Sequence, residues 1–305
     1  MRSLAILTTC LFIGAVTWLQ GSSQVCAGMA DEKYPLEVQK IIDGILAAKY
    51  PHDRLYGEDN YSVLFKKVGT DGLKRLQTHP DDSIALQAAW QEIELAAPVE
   101  NNGTTIPADP KKLDQFLKFM ESRCTIKGPD WWNEALLHAN VNRRYNIWLT
   151  GPKPDIYHKA GVDFVLAPLD TTLVRDGMKL TLKVSNDSIN LPDNLFSKWS
   201  SGKLQDNISA LFTAKRCYVA VHDDWGGSYK LSCLDRSTAK LLWQREVWGT
   251  SWGGGSGLSR GWVTITEQKN RIVLYGCEAR FHVEAFRAED GKNLFRFSNG
   301  YMLQD

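Results

Sequence analysis

The most polar cluster in the C-terminal half of the chain is His222-Asp223-Asp224, which follows an apolar run. An imidazole beside two carboxylates could bind a metal ion or transfer protons. His282 and Glu284, from the corresponding part of a later segment, could join this cluster. The alternative, which we favour, is that Asp223 and Asp224 shape a turn with their side chains while His222 ends a strand.

Tryptophan is concentrated in the same region, where six of the 11 lie between Trp199 and Trp262. Exposed indoles beside the Gly-rich residues 253–257 could stack on sugar rings, as expected of an exported glycan binder. Packing of these indoles between sheets is the interpretation we favour. The candidate binding rim comprises His222, Asp223, Asp224, Trp225, Trp248 and Trp252.

Motifs for catalysis are weak throughout the chain. The G-x-S-x-G spacing occurs at residues 249–253 and 257–261, but a predicted strand follows rather than the helix of a nucleophile elbow. The glycines at 253–257 likewise precede a strand rather than a helix N terminus, which argues against a phosphate site. The spacings of the cysteines do not fit a zinc site. With 36 basic and 35 acidic residues, the chain has no charge excess to attract nucleic acid. We therefore predict no catalytic residue, no cofactor and no metal.

Four cysteines lie beyond the N-terminal segment, namely Cys124, Cys217, Cys233 and Cys277. An exported chain permits disulfides, and Cys217 and Cys233 fall on two strands predicted to be adjacent. The sequence leaves their pairing open, and small buried apolar side chains are the state we favour for most of them.

The N terminus has the layout of a secretory signal. Arg2 precedes an uncharged apolar run from Leu4 to Leu19, and a small, polar stretch follows. Cleavage after Ala27 is the first choice and after Ala30 the second. The run is shorter than the roughly 20 residues that a spanning helix requires, so we predict a cleaved signal over residues 1–27 and an exported protein, periplasmic or extracellular, with no other membrane segment.

Residues 31–148 have helical periodicity and form a predicted helical domain. One face of its first helix carries Val38, Ile41, Ile42, Ile45 and Leu46. Further helices begin at Pro80-Asp81, Asp109-Pro110 and Pro129-Asp130, because proline suits the first turn and acidic side chains complement the helix N terminus. Trp131 and Trp132 should anchor the last helix to the core.

Beyond Trp148 the period of the apolar residues changes to two, which indicates a β-rich domain over residues 160–300. Strands are predicted at 179–184, 217–222, 230–234, 240–248 and 262–266. The fold class is therefore α+β, with the helical domain first.

Two segments of this β-rich domain repeat each other, since residues 234–243 align with residues 286–295 at an offset of 52. Ala239 and Gly291 fall at the same place in a tight turn, where positive φ is required. Trp243 and Phe295 follow at the same spacing, as equivalent aromatic residues of the core.

These segments resemble the blade repeat of pyrroloquinoline-quinone (PQQ)-type β-propellers. Leu234-Asp235, Thr238, Lys240 and Leu242-Trp243 carry the match in the first copy, and Asp290-Gly291-Lys292 with Leu294 in the second. The resemblance covers about residues 217–297 and implies antiparallel blade-like sheets in a bacterial exported protein. Quinone dehydrogenases of this family complete a ring that holds the cofactor, whereas two copies make an incomplete propeller, so the cofactor does not carry over.

The sequence leaves three arrangements open: an open stack of sheets, a propeller closed by oligomerisation, or an array capped by the helical domain, which we favour. We expect a non-catalytic binding or structural protein with a protein or glycan partner. The alternative is an exported hydrolase or quinone-dependent enzyme that uses the His222-Asp223-Asp224 loop.

Overall fold

The computed structural model describes residues 34–47, 60–97, 108–144, 171–176, 179–192, 195, 208–223, 228–249, 262–277 and 281–299. The helices are α1 (Leu36–Ala47), α2 (Asn60–Leu76), α3 (Asp82–Leu95), α4 (Pro110–Cys124) and α5 (Trp132–Arg144). The strands are β1 (Thr171–Asp176), β2 (Lys179–Val184), β3 (Asp187–Leu191), β4 (Ile208–Phe212), β5 (Arg216–Asp223), β6 (Ser228–Asp235), β7 (Leu241–Gly249), β8 (Trp262–Gln268), β9 (Arg271–Cys277), β10 (Phe281–Arg287) and β11 (Asn293–Ser298). Helices followed by antiparallel strands confirm the α+β class. Within these ranges, no helix is long and apolar enough to cross a membrane.

The helix starts follow the predicted signals. The carboxylate of Asp81 accepts a hydrogen bond from the Ile84 amide at 3.1 Å and so caps α3. Asp109 caps α4 by accepting from the Lys111 amide at 2.9 Å, with Pro110 in the first turn. These caps fix where each helix begins.

The buried face of helix α1 differs in part from the predicted one. Val38, Ile42 and Ile45 are buried against α2 and α3, as the spacing predicts. Leu46 is 50% exposed, so its assignment to the buried face was wrong. The apolar stripe therefore ends one residue before the end of the predicted pattern.

The strands form three antiparallel sheets. Sheet A has the order β1-β2-β3, sheet B the order β4-β5-β6-β7 and sheet C the order β11-β10-β9-β8. Sheets B and C are thus meanders of four consecutive strands, in which each strand pairs with its neighbour in the chain. Short hairpins of this kind fix the register of each strand.

The layers stack in the order helices, sheet C, sheet B and sheet A. One face of sheet C shares a core with α3, α4 and α5, through side chains that include Val273, Phe295 and Phe297. The other face of sheet C packs on sheet B, and the far face of sheet B packs on sheet A. Because the helices and sheet C share one apolar core, neither can be removed without exposing the other.

The stack ends differently at its two extremities. Helices cover sheet C, whereas the outward face of sheet A carries exposed polar side chains that include Thr172, Lys183 and Asn190. Thr181 Oγ1 and Asn190 Oδ1 lie 2.9 Å apart on that face, in hydrogen-bond contact. A polar outer face is what the last layer of a stacked array needs for solubility.

Candidate binding rim and the contacts between sheets

The candidate rim lies partly within the described residues. The backbones of His222 and Asp223 end β5, and the backbone of Trp248 lies near the end of β7, whereas Asp224, Trp225 and Trp252 lie outside the described residues. Residue 222 is opposite Tyr229, and Ser228 is opposite both Asp223 and Gly249. The register therefore brings the end of β5, the start of β6 and the end of β7 together at one end of sheet B.

His282 and Glu284 lie on β10 of sheet C, in the hairpin that corresponds to the β5–β6 hairpin of sheet B. Both side chains are buried, with Glu284 fully so. The Glu284 Oε1 atom lies 3.0 Å from Arg296 Nη2 and accepts a hydrogen bond from Asn293 Nδ2 at 2.6 Å. A buried carboxylate needs such partners to offset its lost hydration. Glu284 is thus the buried member of an ion pair with the partly exposed Arg296.

The corresponding position of sheet B carries a neutral polar pair. Gln244 Nε2 donates to Ser232 Oγ at 2.8 Å and lies 3.2 Å from the Leu195 carbonyl. Ser232 and Gln244 are opposite each other on β6 and β7, as Glu284 and Arg296 are on β10 and β11. The two sheets therefore place one polar pair each at the same register.

The β6–β7 and β10–β11 turns have the same backbone hydrogen bonds. The Ala239 amide donates to Asp235 O and the Gly291 amide to Arg287 O, both at 2.9 Å. Ala239 and Gly291 both have positive φ, 58° and 68°. The same bulge follows each turn, since register shifts occur at Cys233/Leu234 and at Ala285/Phe286. The alignment at an offset of 52 is therefore confirmed for these turns.

Sheet B holds the β10–β11 turn of sheet C through Trp243. The indole Nε1–H donates to the Ala288 carbonyl at 3.1 Å, and a Cβ atom built on Gly291 would lie 2.6 Å from the indole. Arg245 donates to the carbonyls of Gly291 and Asp290 at 3.0 and 2.7 Å. Trp243 is 7% exposed, which confirms that it belongs to the core between the sheets.

Helix α4 and the chain after it take the corresponding place beside sheet C. Arg271, which begins β9 as Arg216 begins β5, donates to the Cys124 carbonyl at the end of α4, whereas Arg216 donates to the Ala288 carbonyl. The Tyr275 hydroxyl donates to the Lys127 carbonyl at 2.9 Å. Phe295, at the position of Trp243, is 1% exposed among helical side chains. The helices therefore contact sheet C in the same way as sheet C contacts sheet B.

Both tryptophans at the start of α5 contact sheet C. Trp132 is buried, and its ring lies edge-on to Tyr275 with centroids 5.9 Å apart. The half-buried Trp131 lies at 6.3 Å from the same ring. Their predicted role as anchors of this helix is confirmed.

The cysteine side chains that the structure describes, at positions 124, 217 and 233, are buried free thiols, and the side chain of Cys277 lies outside the described part. Cys217 faces sheet A and Cys233 faces sheet C, because they occupy adjacent rather than opposite positions in the β5–β6 register. Burial raises the pKa of Cys217 to about 12 and that of Cys233 to about 11. It also raises the pKa of Cys124 far above its ordinary value. Such thiols are poor nucleophiles at neutral pH.

Across the part of the chain that the structure describes, no three His, Cys, Asp or Glu side chains group as metal ligands. No protein-family profile matches the chain, and no curated protein matches its sequence.

Proposed function

We propose that this is an exported, non-catalytic binding or structural protein built on PQQ-like repeats and ended by a helical cap. The contact of Trp243 with the β10–β11 turn carries this proposal. It supports a blade-like arrangement in which the space between sheets is filled by packed side chains. Such packing directs binding to the ends of the strands and to the outer surface.

The rim at the end of β5, β6 and β7 is the binding surface that we propose. Its members combine an imidazole and carboxylates with indoles, the types of group that bind sugar hydroxyls and ring faces or a protein surface. The carboxylates at positions 223 and 224 would orient the ligand by accepting hydrogen bonds. Trp248 and Trp252 would supply the apolar contact area.

The binding proposal is tested by probing a glycan array and an exported-protein extract with the purified mature protein. Asp224→Ala combined with Trp252→Ala should abolish capture, whereas Lys183→Ala on the outer face of sheet A should leave it unchanged. The same sample is analysed for metals and for quinone absorbance. A stoichiometric metal or quinone, with a turnover that His222→Ala removes, would replace our proposal with the enzyme alternative.

Export is tested separately with residues 1–30 fused to a reporter. The fusion should reach the periplasm or the medium, and the mature protein should begin at Gly28 or Asp31. An intact Met1 on a membrane-embedded protein would contradict the cleaved signal.

A further inference from the structure

Strand β11 is the edge of sheet C, and helix α3 covers it. The side chain of Leu294 packs against the helical core. The Arg296 amide donates to Ser83 Oγ at 3.1 Å, and Gln87 Nε2 donates to the Ser298 carbonyl at 3.0 Å. The apolar contact of Leu294 and the hydrogen bonds of Ser83 and Gln87, which lie four residues apart on α3, therefore protect this edge from pairing with other strands.

Strand β7 is the corresponding edge of sheet B. At the offset of 52, Leu242 and Gln244 take the places of Leu294 and Arg296, within the same bulged register. Leu242 is 46% exposed. Because Gln244 and Arg296 occupy the same kind of antiparallel pair, the amides of both point away from the neighbouring strand. Strand β7 thus has the apolar side chain and the outward amide by which β11 binds α3.

The chemistry of β7 favours a helix over an added strand. An added strand would need the Gln244 carbonyl as an acceptor, but Arg245 Nη1 already donates to that carbonyl at 2.8 Å. The bulge at Leu242 also interrupts the regular ladder of an edge, and the exposed charge of Arg245 discourages strand pairing. A helix bound as α3 is bound would use the amide of residue 244 and the carbonyl of residue 246, the counterparts of the Arg296 amide and the Ser298 carbonyl, and not the carbonyl of residue 244.

We propose that the β7 edge binds an amphipathic helix of a partner protein, one that presents a hydroxyl and a carboxamide four residues apart beside an apolar face. This surface, at Leu242 and Gln244, is separate from the rim. The proposal of a helical partner rests on the proposed function only for its biological role. The geometry of α3 on β11 defines the chemistry of the partner.

The probe is a fluorescent peptide with the sequence of residues 80–97, which contains Ser83, Leu86 and Gln87. Its affinity for the mature full chain is measured by fluorescence anisotropy. Leu242→Asp should weaken binding by about tenfold or more, since a charge then replaces the apolar contact. Thr172→Asp, a change at an exposed position of sheet A, should leave the affinity unchanged.

Peptide variants keep the test independent of protein folding. A peptide with Ser83→Val and Gln87→Leu should bind about tenfold more weakly to the unaltered protein, because two hydrogen bonds are lost. Absence of peptide binding, or equal binding by the Leu242→Asp protein, would overturn the proposal. Self-association sensitive to Leu242→Asp without peptide binding would also overturn it, since a second copy would then be the occupant.

The two proposals fail in different ways. Trp252→Ala, a change on the rim, should leave the peptide affinity unchanged even where it abolishes capture of the rim ligand. A metal or quinone in the purified protein would overturn the proposed function and leave the peptide result intact.

Discussion

Gly291 and Ala239 occupy the same position in two equivalent turns, and Gly291 lies against the indole of Trp243. Gly291→Val should destabilise the protein by about 1–3 kcal/mol, because a β-branched residue is strained at positive φ and its Cβ would overlap Trp243. Ala239→Gly should be neutral or stabilising by up to about 1 kcal/mol, since it removes strain at φ 58°. Urea denaturation of both variants measures the difference, and equal, negligible effects would contradict the equivalence.

The buried thiols predict a loss of stability at alkaline pH. The ordinary pKa of the thiol is 9.0, and burial raises it to about 11 for Cys233 and about 12 for Cys217. Above pH 9 the unfolded chain therefore releases protons that the folded protein keeps, so the free energy of unfolding falls as the pH rises toward these values. Urea titrations from pH 8 to 11 should show this fall.

The double variant Cys217→Ala/Cys233→Ala is the control for the thiols. Its free energy of unfolding should decrease less steeply between pH 9 and 10 than that of the unaltered protein. An identical slope would assign the effect to other groups, such as Tyr275, whose pKa burial raises to about 12.

At the residue scale, the sequence predicted what local chemistry determines. Positive φ at Gly291 and the caps at Asp81 and Asp109 follow from the preferences of single residues, whereas positive φ at Ala239 followed from its alignment with Gly291. The partners of Glu284 could not be predicted, because Arg296 approaches it across a pair of strands whose register depends on the bulge at Ala285/Phe286. The opposite faces of Cys217 and Cys233 depend in the same way on the β5–β6 register.

At the scale of elements, replacement of Trp243 or Phe295 by alanine tests whether the two repeats pack alike. Each is buried at the same place after its turn, so replacement by alanine should leave a cavity that costs about 3–5 kcal/mol. Trp252→Ala should cost far less if the Gly-rich segment forms a rim. Thermal melts of the three purified variants give the comparison.

Trp243→Phe is a milder change in the same contact. One aromatic ring is kept, but the fused second ring and the donor to the Ala288 carbonyl are lost, so the cost should lie between about 1 kcal/mol and that of Trp243→Ala. A Trp243→Ala variant that melts like the unaltered protein would contradict the packing of sheet B on sheet C. Trp252→Ala as damaging as Trp243→Ala would place the Gly-rich segment in the core and exclude the glycan rim.

Elements with regular patterns were predicted best. The alternation at 179–184 is β2, and the acidic and proline signals mark α3 and α4. Helix α2 was missed because its apolar pattern is interrupted, and Gly69 indeed has a φ of 65° within it. Glycine at positive φ breaks the periodicity on which such predictions depend.

At the scale of the whole molecule, the stacking order could not be derived from the sequence. Apolar residues on both faces of β9 and β10 predict burial on two sides but do not identify what covers each side. The helices and sheet B are both apolar on the required face, and only the three-dimensional contacts assign α3, α4 and α5 to sheet C.

The shared core of the helices and sheet C predicts how the two halves behave when separated. Residues 160–300 expressed alone should aggregate, because one face of sheet C would expose a contiguous apolar surface. Its buried side chains are Val273, Tyr275, Phe281, Val283, Ala285, Phe295 and Phe297. Coexpression of residues 31–148 should restore solubility, since the helices supply the missing half of the core.

Phe116→Asp in the helical half, beside Phe297 at a centroid distance of 4.8 Å, should abolish this rescue, whereas the exposed change Lys111→Asp should not. Solubility and analytical gel filtration of the coexpressed halves measure the outcome. A soluble, monomeric 160–300 fragment would mean that the helices do not complete the fold of sheet C.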